Sequence, residues 1–327
     1  MRLIADSRII RALTAAALVA AAVPAFAAGY PDRPVTVVVP FPPGGASDQA
    51  ARVTQVEFEK NLGGTIVIEN RAGATGNTGA SSVSRSDPDG YTLLCAALSV
   101  WSINPALFKN LNYDAAKDFD MLTIAVRTPN VLVTRKDFPA NDVKELVAYL
   151  KANPDKVTFP SSGSGSSDHL TAELFWQTTG TSGNHIPYKG GGPAITDLVG
   201  GQTDVSFQNL GNIYPFISTG KVKALAVTSA ERHPMLPDVP TLKELGYDGL
   251  VVYSWQAFGA PKGVDPAIRA KIEEALIKAL KSENVVKTFA KTGFDVVAST
   301  GAEAEEFQAK EIARWKAVIA EGNIPSP

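Results

Sequence analysis

The chain has 327 residues, 45% hydrophobic and 20% charged, and 31 basic against 33 acidic side chains give a formal net charge of −2. That balance supplies no basic face for nucleic acid, and a single cysteine, Cys95, excludes an intrachain disulfide. The length suits two domains of about 150 residues, held together by buried apolar surface alone.

The first residues read as an export signal. Arg2, Arg8 and Arg11 form a basic region, Leu13 to Val23 an apolar run, and Ala25-Phe26-Ala27 a small-x-small cleavage pattern. The run is shorter than the ~20 residues a spanning helix needs. Cleavage is expected after Ala27 or one residue later, leaving an exported protein that begins near Tyr30.

Strand-like and helix-like segments then alternate. Val35 to Val39 is a β-branched run, broken by "FPPGGASD". "DQAARVTQVEFEKNLGG" has helical spacing and a glycine stop, and "TIVIEN" is the next strand. The alternation continues through "YTLLCAAL", "VLVTR", "NDVKELVAYLKANP", "KVTFP", "DHLTAELFWQTTG", "NHIPY", "GPAITDLVGG", "TDVSF" and "KALAVTS". The last seventy residues are mostly helical. This order predicts an α/β fold with largely parallel sheets. Cys95 falls inside a strand as a small core residue.

Two stretches rhyme. "PFPPGGASDQAARVTQVEFEKNLG" and "TFPSSGSGSSDHLTAELFWQTTG" each read as strand, Phe-Pro, small-residue loop, Ser-Asp, helix and glycine stop. They predict two α/β lobes, each with a loop-to-helix junction at the carboxyl end of a strand, where open α/β sheets bind ligands. A helix N-terminus carries free amide N–H groups and about half a positive charge, so it takes anions without a basic side chain. Ser47 and Ser167 are expected as N-caps, each followed by an aspartate. For either junction alone, a well-capped helix behind a small-residue loop is the favoured reading; the matched pair shifts the balance to anion capture.

Catalytic readings have less behind them. The serine-rich loop lacks Gly-x-Ser-x-Gly. Neither loop ends in Gly-Lys-Ser/Thr, and Gly163-Ser164-Gly165 is followed by Asp168 where the dinucleotide fingerprint has glycine. A metal site would have to lean on carboxylates, since His169, His185 and His233 are far apart in sequence. No cofactor or metal is expected. A secreted serine hydrolase using Ser164 or Ser166 with His169 stays as an alternative, as does a ligand-sensing receptor without transport. Trp101 and Trp255 fall at strand-to-loop transitions and suit either a core or a cleft wall. Gly73, Gly76 and Gly79 suit a ligand wrap or a tight turn.

Seven motifs in order, among them "YPDRPVTVVVPFPPGGASD", "VIENRAGATGNTGA", "SSGSGSSDHLTAELF" and "HIPYKGGGPAITDLVGGQTDVSF", carry a family resemblance. The chain resembles the Bug family of periplasmic solute-binding proteins, the substrate-binding components of tripartite tricarboxylate transporters. The resemblance implies a two-lobed periplasmic binding protein-like fold of type II, each lobe a sheet flanked by helices, with a ligand cleft between them. Lobe one would be residues 28–127 plus 255–327, after the 1–27 signal, and lobe two residues 128–254. It implies a monomer, not an enzyme, that captures a small carboxylate and delivers it to membrane permease subunits.

By the same resemblance, one loop supplies Phe41, Pro43, Gly44, Gly45, Ala46, Ser47 and Asp48. The facing loop supplies Ser162, Gly163, Ser164, Gly165, Ser166, Ser167 and His169. Trp101, Asn104, Tyr188, Gly190, Asp204 and Asn209 complete the expected pocket. The chain departs from the common pattern at Gln208, where relatives often carry aspartate.

Overall fold

A computed structural model describes residues 29–326, so the predicted export signal lies outside the described residues. The first lobe opens with β1 (Val35–Val39), α1 (Ala46–Leu62) and β2 (Ile66–Asn70). Successive valines of β1 alternate between faces: Val37 and Val39 join one core and Val38 the other. Gly63 closes α1 at φ 82° and donates its N–H to Glu59, a left-handed ending that glycine adopts without a Cβ clash. After α2 (Asn77–Ser84), β3 (Thr92–Ala97) pairs parallel to β1. A π-helical turn, Ser99–Ile103, runs into α3 (Asn104–Leu107).

β4 (Phe119–Arg135) is far longer than the predicted "VLVTR". Its first part, to Pro129, pairs antiparallel with β9 (Tyr253–Pro261). From Asn130 onwards it pairs antiparallel with β7 (Val205–Asn209) and β8 (Val222–Val227). One strand thus belongs to both lobes, and the chain returns to the first lobe through β9 beside it. Between them lie α4 (Val143–Ala152), β5 (Thr158–Ser161), α5 (Ser167–Thr179), β6 (Asn184–Pro187), α6 (Gly191–Val199) and α7 (Leu210–Ser218). The first lobe finishes with α8 (Pro266–Leu280), α9 (Glu283–Lys291), β10 (Asp295–Val296) and α10 (Gly301–Glu321).

The sheets are therefore mixed. β1, β2 and β3 run parallel, as do β5 and β6, whereas every pairing of β4 and β9 is antiparallel. The expectation of largely parallel sheets fails because both crossovers are themselves strands, lying side by side in opposite directions.

Phe58, Leu62, Leu276 and Phe289 pack one face of the first sheet; Leu94, Trp101, Phe119 and Trp315 pack the other. The second lobe places Phe159, Phe175 and Phe207 on one side of β4 and Val131, Leu198 and Ile213 on the other. Trp101 is fully buried, donates Nε1–H to the Ala96 carbonyl at 3.0 Å, and meets Phe119 edge-on. Its expected place in the pocket is corrected to the core. Trp255 is likewise core, with Nε1 on Glu311 at 3.2 Å. Cys95 is buried, and that burial pushes its thiol pKa up.

Candidate ligand-binding site

The first helix mouth follows β1. Its N-cap is Gly45, in extended backbone (φ −74°, ψ 171°) with no side-chain cap. Ser47 is not the N-cap that the sequence suggested. It lies inside the first turn and donates Oγ–H to Gln256 Oε1 on β9 at 2.5 Å. With no cap, the amides of Gly45, Ala46, Ser47 and Asp48 have no protein acceptor among the described residues. Gly44 and Gly45 are exposed, so the mouth opens to the surface at its glycines, with Ser47 and Asp48 buried behind them.

Asp48 organises this loop. It is buried, and its carboxylate accepts from Gly44 N–H, Arg52 Nε and Asn70 Nδ2, each at 2.9 Å. Asn70 also donates to the Phe41 carbonyl at 3.0 Å. Burial alone would raise the Asp48 pKa; the hydrogen bonds from Arg52, Gly44 and Asn70 outweigh it and hold the carboxyl below the usual range. Its oxygens are spent on the loop, so Asp48 shapes the mouth without facing a ligand.

The second mouth follows β5. Here Ser166 is the N-cap: its Oγ accepts from His169 N–H at 3.4 Å and donates to the Gly163 carbonyl at 2.5 Å. Gly163 (φ 130°) and Gly165 (φ 77°) turn the chain early and leave Ser166 in the extended form a cap requires. Ser167, expected as the cap, is instead the first helical residue, and its Oγ accepts from Asn209 Nδ2 at 3.3 Å. The amides of Ser164 and Ser167, and the Ser164 hydroxyl, have no protein partner among the described residues.

Asp168 repeats the device of Asp48. One carboxylate oxygen accepts both Ser162 N–H (2.7 Å) and Ser162 Oγ–H (2.8 Å), and Gln208 Nε2 approaches it at 3.4 Å. Complete burial raises the Asp168 pKa against the lowering by Ser166 and Ser162. The Ser-Asp rhyme in the sequence is thus one physical motif used twice: an aspartate in the first helical turn ties back the loop that precedes it.

Contacts run from one mouth to the other. A Cβ on Gly165 would lie 2.6 Å from Leu107 Cδ2, so the second loop presses on α3. Asn104, at the start of α3, donates to the Thr75 carbonyl (3.0 Å) and Asn77 Oδ1 (2.6 Å). A Cβ on the neighbouring Gly76 would touch the Phe41 ring at 3.0 Å. Behind the mouths, Ser47 leans on β9 through Gln256. Ser167 leans on β7 through Asn209, whose Nδ2 also reaches Asn130 Oδ1 on β4 at 2.6 Å.

Several expected pocket residues lie elsewhere or act indirectly. Asp204 precedes β7, at the far end from Asn209, about 16 Å away at ~3.3 Å per residue. There it pairs with Arg135 at 3.0 Å and accepts Thr158 N–H and Oγ–H. Asn104 is buried and holds the 74–77 turn. Tyr188 gives its hydroxyl to Asp197 at 2.5 Å, and Gly190 donates to the Ser162 carbonyl at 3.1 Å, so that turn braces the second loop. Gly73 and Gly79 lie against Thr78 and Pro40, in keeping with a tight turn. His169 is 3% exposed and accepts Gly165 N–H on Nδ1 at 3.1 Å, while Nε2 faces Glu173 at 3.5 Å. Neither nitrogen reaches Ser164 or Ser166 as the hydrolase alternative requires. Phe41 and Pro43 stay in the first loop, partly buried and exposed respectively.

Sequence reasoning missed Gln256 and Asn130, which join the mouths to the crossover strands. Their signal was a polar residue inside an apolar strand run, as in "SWQAF" and "TPNVLV". Two surface depressions, one lined by Lys281, Ala290 and Phe294 and one by Lys109, Lys316 and Ile319, include no residue of either mouth.

Two α/β lobes joined by paired crossover strands, each ending a strand in an amide-lined helix mouth, define a solute-binding protein of the periplasmic type. The chain belongs to the tripartite tricarboxylate transporter family receptors, whose family profile matches residues 50–324. It is 39% identical over 301 residues to BugT of Bordetella pertussis, covering 92% of each chain. Among solved structures it is similar to an R. palustris protein with adipate (TM-score 0.83, 32% identity, 90% of this chain and 99% of that one). It is also similar to MatC of Rhodopseudomonas palustris with bound malate (TM-score 0.80, 35% identity, 89% of this chain and 100% of that one).

Proposed function

We propose that this chain captures a small carboxylate between the mouths of α1 and α5 and releases it unaltered to the permease subunits of a tripartite tricarboxylate-type transporter. The observation that carries the reading is the pair of helix mouths with unpartnered amides at Gly45 to Asp48 and at Ser164 and Ser167. The Ser164 hydroxyl adds a donor, and the half-charges of two helix N-termini favour an anion without a lysine or arginine. Hydrogen bonds to an ionised acceptor contribute about 1.5–3 kcal/mol each. A handful, less the cost of ordering the ligand, reaches the ~8 kcal/mol of a micromolar complex.

The lobes are residues 28–127 with 255–327, and 128–254. That division is supported by β4 exchanging its partner β9 for β7 and β8 after Pro129. The protein works as a periplasmic monomer after cleavage near Ala27, and performs no chemistry on its ligand. Malate and adipate, held by two relatives, are the first ligands to try. Calorimetry with four- to six-carbon mono- and dicarboxylates tests the reading. A saturable one-to-one isotherm with chemically intact ligand supports it; turnover, or no binding across the series, contradicts it.

A further inference from the structure

The two histidines behind the second mouth are stacked, with ring centroids 3.7 Å apart and planes 15° from parallel. Each holds one side of the loop. His169 Nδ1 accepts the Gly165 N–H at 3.1 Å. His185 Nε2 lies 2.6 Å from Ser161 Oγ, which accepts the Gly163 N–H at 3.1 Å. Between these grips stands Ser164, whose amide and hydroxyl are free. His185 was not among the residues expected at the site; its only sequence signal is its place in the strand beside the loop.

We propose that His169 and His185 are positioning residues, uncharged when the loop is formed, and that a proton taken up by the pair undoes the loop and expels the ligand. The inference rests on the reading of the Ser162–Ser167 loop as a ligand site. To accept from Gly165, Nδ1 must be bare, which puts the His169 proton on Nε2, towards Glu173. A second proton would set N–H against N–H at Gly165 and bring positive charge against the stacked ring. Burial first, then His169, drives the His185 pKa down to about 3, so this ring resists protonation.

The bare Nδ1 of His169 is the nitrogen whose protonation breaks the Gly165 contact, and Glu173 Oε1 stands 3.5 Å from the ring's Nε2. The other acid beside the pair, Asp168, turns its carboxylate to Ser162. β5 offers Ser161 and Phe159, α3 presents Leu107, and the end of α10 meets Glu173 through Gly322. Among the described residues no lysine or arginine forms an ion pair with Glu173 or Asp168. Glu173 is thus the acidic neighbour of the ring whose protonation breaks the Gly165 contact, and the stacked His185 is its basic one.

The test has two arms on the purified protein. Without ligand, NMR follows the Gly165 amide and the imidazole nitrogens from pH 8 to pH 5.5. The Gly165 amide is expected to shift together with the imidazole nitrogens of the pair; an amide that stays put over the range overturns the proposal. With malate and adipate as probes, calorimetry compares wild type with His169→Asn, whose Oδ1 replaces Nδ1 as acceptor but takes no proton. Wild-type affinity should fall up to about tenfold per pH unit below the pair's titration. His169→Asn should bind within about threefold of wild type at pH 8 and show a flatter profile, while a folded His169→Leu should lose at least about tenfold. Protonation of the probe is common to all three and cancels in their ratio. Equal slopes for wild type and His169→Asn overturn the proposal. If wild type binds neither probe nor any other four- to six-carbon carboxylate at pH 8, the functional reading fails, and the ligand-free arm still decides the histidines.

Discussion

Gly165→Ala probes the seam between the second loop and the first lobe. Gly165 has φ 77°, and a Cβ there would stand 2.6 Å from Leu107 Cδ2 and 3.6 Å from Ile103 Cγ2. Left-handed backbone costs a residue with a side chain about 1–2 kcal/mol. Pushing α3 aside adds an overpacking cost of about 1–3 kcal/mol. The variant should therefore lose about 2–5 kcal/mol in guanidinium unfolding, with an unchanged slope. Leu107→Ala alone opens a cavity and costs about 2–5 kcal/mol. Combined with Gly165→Ala it leaves room for the new methyl, so the double variant should be about 1–3 kcal/mol more stable than the sum of the singles predicts. Strict additivity would refute the contact between loop and α3. A Gly165→Ala protein within about 0.5 kcal/mol of wild type would refute the turn geometry as well.

Gly45→Ala should behave oppositely: φ is −74° and the added Cβ meets only the Pro42 carbonyl, at 3.5 Å. Stability should fall by no more than about 1 kcal/mol, the cost of alanine at an N-cap, while carboxylate affinity drops at least about tenfold; retained affinity removes this mouth from the site. Asp204→Asn breaks the pair with Arg135 and weakens the Thr158 contacts, so melting should show a loss of about 1–3 kcal/mol with binding unaffected. An affinity loss beyond the stability effect would return Asp204 to the pocket. Ser167→Ala should weaken binding more than folding, and calorimetry showing full affinity would count against the assigned loop. The folded chain keeps His185 neutral down to about pH 3, whereas the free imidazole titrates near 6.5. The unfolded chain thus binds the proton first, and stability should decline as pH falls from about 6.5 towards 3. His185→Gln should lack that component; an identical decline in wild type and variant would contradict it.

The helix mouths were legible because local chemistry makes them: a β-branched run, a Phe-Pro break, small residues, then Ser-Asp. Both glycine stops were equally plain, Gly63 at φ 82° and Gly180 at φ 60°. The caps were misplaced by one or two residues, since Gly163 and Gly165 set the turn through φ values that sequence does not display. The long β4 was clipped to its apolar end because its sheet exchange at Pro129 and Asn130 depends on partners distant in the chain. Trp101 suited a core or a cleft wall for the same reason: Phe119, which covers it, is unrelated in local pattern. Asp204 and Asn209 share one short motif, yet a strand separates them by its whole length.

The most direct test of the central claim is an amide NMR titration of the purified protein with malate or adipate. If both mouths grip one carboxylate ligand, the amides of Gly45, Ala46, Ser47, Ser164 and Ser167 will shift together and saturate at one concentration. Shifts confined to a single mouth, or centred away from both, would contradict the account.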